Sequence, residues 1–269
     1  MNKLKPLKRF GQNYLQDKNI LNKIVAEINP QPTDLLVEIG PGQGSLTELI
    51  LARNVDLTAI EIDRRVIEDL NTKFPELTLI EKDFLDIDLS AQQKDPNKKL
   101  RIFGNIPYNI TSPILFKLFD NNSIVEDAVF MVQEEVAKRM TSKIGSKDYG
   151  ILSVLISYFG KANIAFKVSP NVFYPKPKVY SAVIHIHFNP ERKDAKFNSL
   201  FKAIVKSSFG NRRKTLKNSL SNSIFTSVDF SSCGLDISLR AEQLNLDDFI
   251  KLAEFANNKT VPVFNTNSI

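Results

Sequence analysis

A regular alternation of short apolar runs with stretches of helical spacing fills the first two-thirds of the chain. The predicted strands are LLVEIG (35–40), LTAIEID (57–63), LTLIEKD (77–83), LRIFGNI (100–106) and DAVFMVQ (127–133). Helical spacing of apolar residues occupies SLTELILAR, RRVIEDLNTKF and SPILFKLFD between them. Because strands separated by helices build βαβ units, the sequence predicts an α/β fold with a Rossmann-like, doubly wound, mostly parallel sheet.

The remainder of the chain predicts an extension of that sheet and a second domain. YGILSVLISYF reads as a further helix, and NIAFKVS and SAVIHIHF read as a hairpin-type addition at the sheet edge. The polar stretch NPERKDAK (189–196) is the predicted linker. Helical spacing then recurs in FNSLFKAIVKSSF, RRKTLKNSLSNSIF and RAEQLNLDDFIKLAEF. We therefore expect one domain over residues 1–190 and a small basic helical domain over 191–269.

Composition excludes several classes of protein. No apolar run approaches the roughly 18 residues that a membrane span requires, and the N-terminal MNKLKPLKRF lacks the apolar core of a secretory signal. Cys233 is the single cysteine, so no disulfide framework or thiolate metal cluster is possible, and we expect a cytoplasmic protein. His185 and His187 share one strand face, but no third ligand is evident in the sequence. We interpret them as surface or edge histidines and expect no metal.

Basic residues are concentrated in two segments without acids. The first ten residues contain Lys3, Lys5, Lys8 and Arg9, and residues 197–228 contain Lys202, Lys206, Arg212, Arg213, Lys214 and Lys217. The net charge is +6. Such blocks indicate either a polyanionic partner, most plausibly nucleic acid, or two solvated surfaces, and charge alone does not decide between them.

A glycine-rich turn follows the first predicted strand of the sheet and opens a helix. Gly40, Gly42 and Gly44 are spaced GxGxG, whereas a dinucleotide fingerprint reads GxGxxG. Glu61 ends the next strand, where a carboxylate can accept from both ribose hydroxyls, and Asp83 ends the third, where it can accept from an adenine amine. The combination predicts an adenosine-containing cofactor, and S-adenosyl-L-methionine fits the spacing better than NAD does.

The stretch NIPYN follows the fourth predicted strand and faces the same crevice. An adenine amine is a poor nucleophile, because its lone pair is delocalised into the ring. The Asn105 side-chain oxygen and a backbone carbonyl near Pro107 could accept its two hydrogens and stabilise developing positive charge. Tyr108 offers a face on which a flipped-out base could stack. The alternative, a plain turn with Tyr108 in the core, is disfavoured by the neighbouring cofactor motif.

These motifs together resemble the ribosomal RNA adenine N6-methyltransferases. The resemblance rests on FGQNYL (10–15), EIGPGQGSLT (38–47), EID (61–63), DFL (83–85), GNIPYN (104–109) and FYPKPKVYSAV (173–183). FGNRRKTLKNSL (209–220) and RAEQL (240–244) resemble the KsgA-type members more closely than the erythromycin-resistance (Erm) members. Tyr14 departs from the family pattern, in which phenylalanine is usual, and the tail TVPVFNTNSI has no counterpart.

The resemblance implies roles for individual residues. Those that would contact S-adenosylmethionine are Asn13, Leu15, Gly40, Gly42, Glu61, Asp83 and Asn105. Asn105, Pro107 and Tyr108 would form the target-base site, with Phe173 closing the opposite face of the adenine. Arg212, Arg213, Lys214 and Lys217 would contact RNA phosphates, although as a helix only positions 213 and 217 would share a face.

The resemblance also implies a substrate and a reaction. It implies dimethylation of two adjacent adenosines in a hairpin near the 3′ end of small-subunit rRNA, within an immature 30S particle, by a protein that we expect to be monomeric. Three alternatives remain: an Erm-type enzyme acting on large-subunit RNA, an RNA-binding assembly factor with a vestigial pocket, and an NAD-dependent oxidoreductase.

Overall fold

The structure is a computed structural model that describes residues 6–7, 11–189 and 194–259. The cations Lys3, Lys5, Lys8 and Arg9, the start of FGQNYL at Phe10 and the tail after Lys259 therefore lie outside the described residues. Contacts divide the chain into two compact units: a first unit, Met1–Ala137 with Lys161–Pro190, and a second unit, Lys138–Gly160 with Glu191–Ile269.

One segment belongs to a different unit from the one that the sequence predicted. Lys138–Gly160 falls in the second unit, whereas we expected it within a domain ending at residue 190. The reason is the apolar surface of its helix: the Tyr158 ring stacks on Phe201 with centroids 3.9 Å apart, and the Tyr158 hydroxyl donates to Asn198 Oδ1 at 2.9 Å. The division after Pro190 lies inside the predicted linker.

The first unit contains a seven-stranded sheet in the order β4-β3-β2-β5-β6-β9-β7. Its strands are β2 (Leu35–Ile39), β3 (Asp56–Glu61), β4 (Thr78–Glu81), β5 (Leu100–Asn105), β6 (Val125–Gln133), β7 (Gly160–Val168) and β9 (Ser181–Phe188). Strands β4 to β6 in this order are parallel, and β9 runs antiparallel to β6. The predicted α/β class and the edge addition are confirmed.

The strand sequences explain this arrangement. Every residue of β2 is buried, as expected for a central parallel strand covered on both faces. The helices that accompany these strands in the first unit are α1 (Lys18–Ile28), α2 (Ser45–Leu51), α3 (Arg64–Lys73) and α4 (Thr111–Asp120), and α5 (Glu134–Thr141) contains the division between the two units. A separate two-stranded antiparallel sheet joins β1 (Tyr14–Leu15) to β8 (Phe173–Tyr174). Its first strand brings residues 11–15, the described part of FGQNYL, beside the main sheet, where Asn105 donates to the Asn13 carbonyl.

The second unit is helical. It contains α6 (Ile151–Phe159), α7 (Ala195–Ser208), α8 (Leu216–Ser221) and α9 (Leu246–Asn258). The predicted helix over RRKTLKNSLSNSIF is wrong at its start: residues 211–214 form a turn, and α8 begins only after Thr215, whose hydroxyl caps it. A Ser/Thr cap competes with helix continuation and so favours this late start. Among the described helices, none is both long and apolar enough to cross a membrane.

Candidate active site

A cavity of about 370 Å³ lies at the carboxyl ends of the parallel strands in the first unit. In doubly wound sheets this is the edge at which ligands bind. Its walls contain all the residues predicted to bind the cofactor and three of the four predicted catalytic ones, with Asn105 in both groups: Asn13, Leu15, Gly40, Gly42, Glu61, Asp83, Asn105, Pro107 and Tyr108. The structure thus brings together side chains from β1, β2, β3, β5 and the loops that follow them.

The glycine-rich turn between β2 and α2 approaches the cavity with left-handed backbone. Gly40 has φ 64° and Gly42 has φ 54°, a region that side chains with a Cβ rarely adopt. A Cβ on Gly42 would lie 3.0 Å from the Tyr14 ring, so β1 packs directly against the turn. A Cβ on Gly40 would meet nothing within 4 Å, which leaves open space beside the backbone for a ligand.

Glu61, the last residue of β3, is held by three backbone donors. Ile62 and Asp63 donate to Oε1, both at 2.9 Å, and Gly42 N–H donates to Oε2 at 3.3 Å. Burial raises the pKa of Glu61 above its ordinary value, although these donors oppose the shift. The longer bond to Oε2 is the weaker one, so this oxygen is the one placed to accept from a bound hydroxyl.

Asp83 also lines the cavity, but it does not end a strand as predicted. Strand β4 stops at Glu81, and Asp83 caps the short helical turn that follows, with Oδ1 accepting from Leu85 N–H at 2.9 Å. This hydrogen bond from Leu85 N–H to the Asp83 side chain favours a turn over continued strand pairing, which explains why β4 ends before Asp83.

Glu38 is a cavity residue that sequence reasoning did not single out. It lies in the middle of β2, is only 2% exposed, and its Oε2 accepts from the Thr47 hydroxyl at 2.7 Å. Burial raises its pKa to about 8, so this carboxyl is largely protonated at neutral pH. A charged residue type inside an otherwise apolar strand was the signal that could have identified it.

The amide of Asn105 is oriented by the chain segment before β1. Its Nδ2 donates to the carbonyl of Asn13 at 2.8 Å, and Asn13 in turn donates from Nδ2 to the carbonyl of Gly11 at 3.1 Å. With one N–H donated to Asn13, the orientation of the amide is fixed, and Oδ1 of Asn105 is the side-chain atom that can accept hydrogen bonds in the cavity. A Cβ on Gly104 would lie 2.5 Å from the Ile39 carbonyl, so only glycine lets β5 and β2 approach this closely here.

Two carbonyls lie in the turn after Asn105, and they are not equivalent. The carbonyl of Pro107 accepts from Ile110 N–H at 3.2 Å. The carbonyl of Ile106, which also belongs to a cavity residue, accepts none of the backbone hydrogen bonds found among the described residues. The sequence predicted an acceptor carbonyl near Pro107 without deciding which residue supplies it. The carbonyl of Ile106 is the better candidate, because the Pro107 carbonyl already accepts a hydrogen bond.

Tyr108 is partly buried in the cavity wall and is not a core ring. Its hydroxyl lies 2.7 Å from Ser181 Oγ at the start of β9. Burial raises its pKa, opposed by the bond to Ser181. The ring is thus fixed at its far end, which leaves its face as a rigid surface at the cavity.

Phe173 is not brought to this cavity. It lies in β8 opposite Leu15, is 6% exposed and packs in the apolar core that includes Leu15 and Val168. Burial of a phenyl ring is favoured by the hydrophobic effect, and the pairing of β8 with β1 places the Phe173 ring in this core. That Phe173 closes the opposite face of the adenine stays a prediction which this conformation does not support.

Tyr14, the residue at which the chain departs from the family pattern, also lines the cavity. It is 7% exposed, and its hydroxyl has no hydrogen-bond partner in the described structure. Burial, together with the nearby carboxylates of Asp63 and Glu61, raises its pKa to about 12. Nothing in the sequence indicates that this oxygen is unpartnered.

The predicted RNA-binding cations of the second unit differ in their surroundings. Arg212 donates from Nη2 to the carbonyls of Lys147 and Tyr149, at 3.1 and 3.0 Å, and lies 3.6 Å from Glu242. It therefore contributes to local structure. Lys202 of the same basic segment is 8% exposed, and burial lowers its pKa to about 8, so it is not a surface cation. Arg213, Lys214 and Lys217 are exposed, and their contact with RNA stays a prediction.

The two histidines of β9 correct a further expectation. His185 is buried at 8% exposure, with Nδ1 2.7 Å from Glu27 and Nε2 3.0 Å from Asp127. Only His187 is exposed. Asp127 supplies the third ligand atom that the sequence did not reveal, within 4.8 Å of the others. Since both nitrogens of His185 are already bonded to carboxylates, the arrangement is that of an ion-pair network.

The sheet order and the position of the cavity define a Rossmann-like class I methyltransferase. A model of the family "Ribosomal RNA adenine dimethylase" matches residues 3–258, and the chain belongs to this family. A relative from Francisella tularensis subsp. tularensis (strain WY96-3418), named "Ribosomal RNA small subunit methyltransferase A", is 41% identical over 94% of this chain and 98% of its own. A relative of the same name from Pseudoalteromonas translucida is 44% identical over 92% and 93%.

Solved structures agree with the fold. A dimethyladenosine transferase from Plasmodium falciparum has a TM-score of 0.75 and 25% identity, covering 93% of this chain and 99% of that one. The 23S rRNA methyltransferase ErmE has a TM-score of 0.66 and 24% identity, covering 91% and 99%. The second likeness supports the fold alone.

The cavity residues fit S-adenosylmethionine, the cofactor of this class. A volume of about 370 Å³ lies within the usual range for small-molecule sites. The donor set is also appropriate: a carboxylate at the end of β3 suits ribose hydroxyls, and the open space beside Gly40 admits a ligand against the backbone. Glu61, Asp83 and the turn from Gly40 would hold the nucleoside, and Asn105 would contact the cofactor from the end of β5.

Proposed function

We propose that this chain dimethylates the N6 amines of two adjacent adenosines in a hairpin near the 3′ end of small-subunit rRNA. The methyl donor is S-adenosylmethionine. The particle on which it acts is an immature small subunit, and it acts in the cytoplasm as a monomer. The curated relatives' names support small-subunit rRNA as the substrate.

The observation that carries the proposal is the commitment of the Asn105 amide. Because Nδ2 donates to the Asn13 carbonyl at 2.8 Å, the orientation of the amide is fixed, and Oδ1 is its hydrogen-bond acceptor at the cavity. An acceptor at this place suits a substrate that brings N–H hydrogens.

Two acceptors can activate an aromatic amine without a strong base. In the first transfer, Oδ1 of Asn105 and the carbonyl of Ile106 would each accept one N6 hydrogen, which draws the nitrogen towards a tetrahedral form with its lone pair available. In the second transfer the monomethylamine keeps one N6 hydrogen, and one of the two acceptors would take it. The same hydrogen bonds stabilise the positive charge that develops on nitrogen during transfer. S-adenosylmethionine supplies, when bound, an electrophilic methyl group on a sulfonium sulfur.

The rest of the rate enhancement comes from positioning. Tyr108, anchored through its hydroxyl to Ser181, offers a fixed ring on which the extruded adenine can stack. The turn through Pro107 has a restricted φ of −58°, so the acceptor carbonyls move little. Holding the amine in line with the methyl group removes much of the entropic cost of reaction.

The test is Asn105→Ala, assayed with small-subunit particles that lack the modification. We expect kcat to fall by about 10²–10³ or more, by analogy with the removal of one preorganised hydrogen-bonding group. Binding of S-adenosylmethionine and the circular dichroism spectrum report separately on the cofactor site and the fold. Asn121→Ala, an amide change at the half-buried C-terminal cap of α4, is the control outside the cavity and should retain the wild-type rate.

A near wild-type rate for Asn105→Ala would contradict the acceptor mechanism. The same assay run on large-subunit particles distinguishes an Erm-type activity, and digestion of the product to nucleosides distinguishes mono- from dimethyladenosine. Cofactor binding without methyl transfer to either subunit would instead support an assembly factor with a vestigial pocket.

A further inference from the structure

A short segment of the first unit exposes aromatic and basic side chains together. In residues 174–180, here called the rim segment, Tyr174 is 55% exposed, Tyr180 56% and Val179 43%. Lys176 and Lys178 are exposed as well. Two tyrosines that are each more than half exposed, together with Val179, give this short segment an exposed apolar surface of the kind that indicates a contact site.

Both ends of the rim segment are fixed to the walls of the active-site cavity. At one end, Tyr174 is paired in the β1–β8 sheet with Tyr14, which lines the cavity. At the other end, the next residue, Ser181, lies 2.7 Å from the Tyr108 hydroxyl, and the Tyr180 carbonyl accepts from Glu134 N–H at 3.0 Å. The segment therefore runs from one cavity wall to another.

The rim segment is also stiff. Pro175 and Pro177 each fix a backbone φ, and the paired ends leave little chain free to move. Rings carried on a preorganised backbone lose less conformational entropy on binding than rings on a mobile loop. A rigid backbone of this kind is useful in a binding surface, whereas a loop that only connects two strands does not need it.

The lysines of the rim segment indicate which kind of molecule it binds. In the described structure neither Lys176 nor Lys178 forms an ion pair, and the segment contains no acid. Exposed rings interleaved with unpaired cations match single-stranded nucleic acid, where bases stack on aromatic faces and phosphates meet cations. A protein partner would be better served by a contiguous apolar patch, and Val179 is the only exposed aliphatic side chain here.

We propose that Tyr174 and Tyr180 stack on nucleotides that flank the target adenosine, with Lys176 and Lys178 meeting the adjoining phosphates. The proposal rests on the RNA substrate of the proposed function and adds to it a surface outside the catalytic cavity. Stacking on a ring is tolerant of base identity, so the rim segment holds the extruded strand in place and leaves recognition of the adenine to the cavity.

The test compares Tyr174→Ala and Tyr180→Ala, singly and together, with Tyr→Phe at the same positions. Methyl transfer to undermodified small subunits gives kcat and KM, and fluorescence anisotropy with a labelled hairpin RNA gives Kd. We expect each alanine change to raise KM and Kd about fivefold or more, as expected for the loss of one stacked base, while phenylalanine keeps near wild-type values. Lys176→Ala with Lys178→Ala should lower the salt dependence of RNA binding.

Controls separate this proposal from the proposed function. Ile144→Ala removes a side chain that is 48% exposed in the second unit, and Lys98→Ala removes an exposed lysine just before β5; both should leave KM and Kd unchanged. If wild-type protein methylates particles and the double alanine variant matches it, the rim proposal is overturned while the function stands. A defect seen with particles but not with the hairpin would assign the surface to a ribosomal protein and would likewise overturn it. Absence of methylation by the wild type would remove the function itself, and anisotropy would still decide whether the rings bind RNA.

Discussion

Two buried polar regions of the same sheet are organised in opposite ways. Near the amino ends of the strands, Arg101 donates to Asp127, at 3.0 and 2.7 Å, and to Asp34, and Asp127 also lies 3.0 Å from His185. At the carboxyl ends, around the cavity, Glu38 is neutralised by burial and the Tyr14 hydroxyl has no partner. The first region satisfies its charges, and the second leaves hydrogen-bonding capacity unused.

The difference follows from what each region must do. The amino-end cluster joins β5, β6 and β9 to the end of α1, where Arg101 also donates to the Ile28 carbonyl at 2.7 Å. A closed network of this kind holds elements in register and needs no ligand. Unused donors and acceptors around a cavity are costly to the free protein, but they become bonds when a polar ligand enters.

Arg101→Met should produce the largest loss of stability. It removes the one cation between Asp34 and Asp127 and leaves both carboxylates partly buried without it, which we expect to lower the free energy of unfolding by about 3–5 kcal/mol. Urea unfolding at neutral pH measures this. Lys94→Met is the matched control, since its ion pair with Asp56 is nearly half exposed and should contribute less than about 1 kcal/mol. Equal losses in the two variants would show that the amino-end network has no special role.

Glu38→Gln should raise the stability of the folded protein at high pH, in contrast to the loss expected for Arg101→Met. The pKa of Glu38 in the folded protein, about 8, exceeds its ordinary value, so the folded state binds a proton that the unfolded state releases. Wild-type stability therefore decreases as pH rises from about 5 to about 8, and glutamine, which has no proton to lose, removes this decrease. Over that interval we expect the variant to gain on the order of a few kcal/mol relative to wild type.

The measurement is urea unfolding of both proteins at several pH values between 5 and 8. Glu81→Gln, at the exposed end of β4, controls for the loss of a carboxylate as such, because its side chain is 52% exposed and remains hydrated. If the difference between Glu38→Gln and wild type did not vary with pH, Glu38 would be ionised throughout, and the cavity would be more polar than its burial indicates.

The contrast between the two regions also shows what the sequence can predict. The seven strands of the main sheet lie within three residues of their predicted bounds at each end, because β-branched runs and helical spacing are local signals. Gly40, Glu61, Asp83 and Asn105 were predicted because each lies at or just after the carboxyl end of a predicted strand, whereas Asn13 and Leu15 were predicted only from the family resemblance. Helix α1 was missed although Asp17 caps it and its apolar spacing is regular.

The amino-end network could not have been predicted in this way. Asp127 and Arg101 are 26 residues apart, and His185 and Glu27 are 158 apart, so no local pattern links them. The burial of Phe173 and the capture of Arg212 by the carbonyls of Lys147 and Tyr149 likewise depend on tertiary pairing. Functional residues at strand ends can be predicted from sequence, whereas contacts between side chains that are far apart in the chain cannot.

Tyr14→Phe should have the smallest effect on stability of the three substitutions. It tests most directly whether the cavity region leaves hydrogen-bonding groups without partners. It deletes only a buried oxygen that has no hydrogen-bond partner, so we expect the ligand-free protein to become more stable by about 1 kcal/mol. Thermal unfolding should show a rise in Tm of roughly 2–4 °C. Tyr108→Phe is the matched control, since its hydroxyl is bonded to Ser181 and its loss should lower Tm. A fall in Tm for both variants would mean that the Tyr14 oxygen is already satisfied in solution, and that the cavity region is no less complete than the amino-end network.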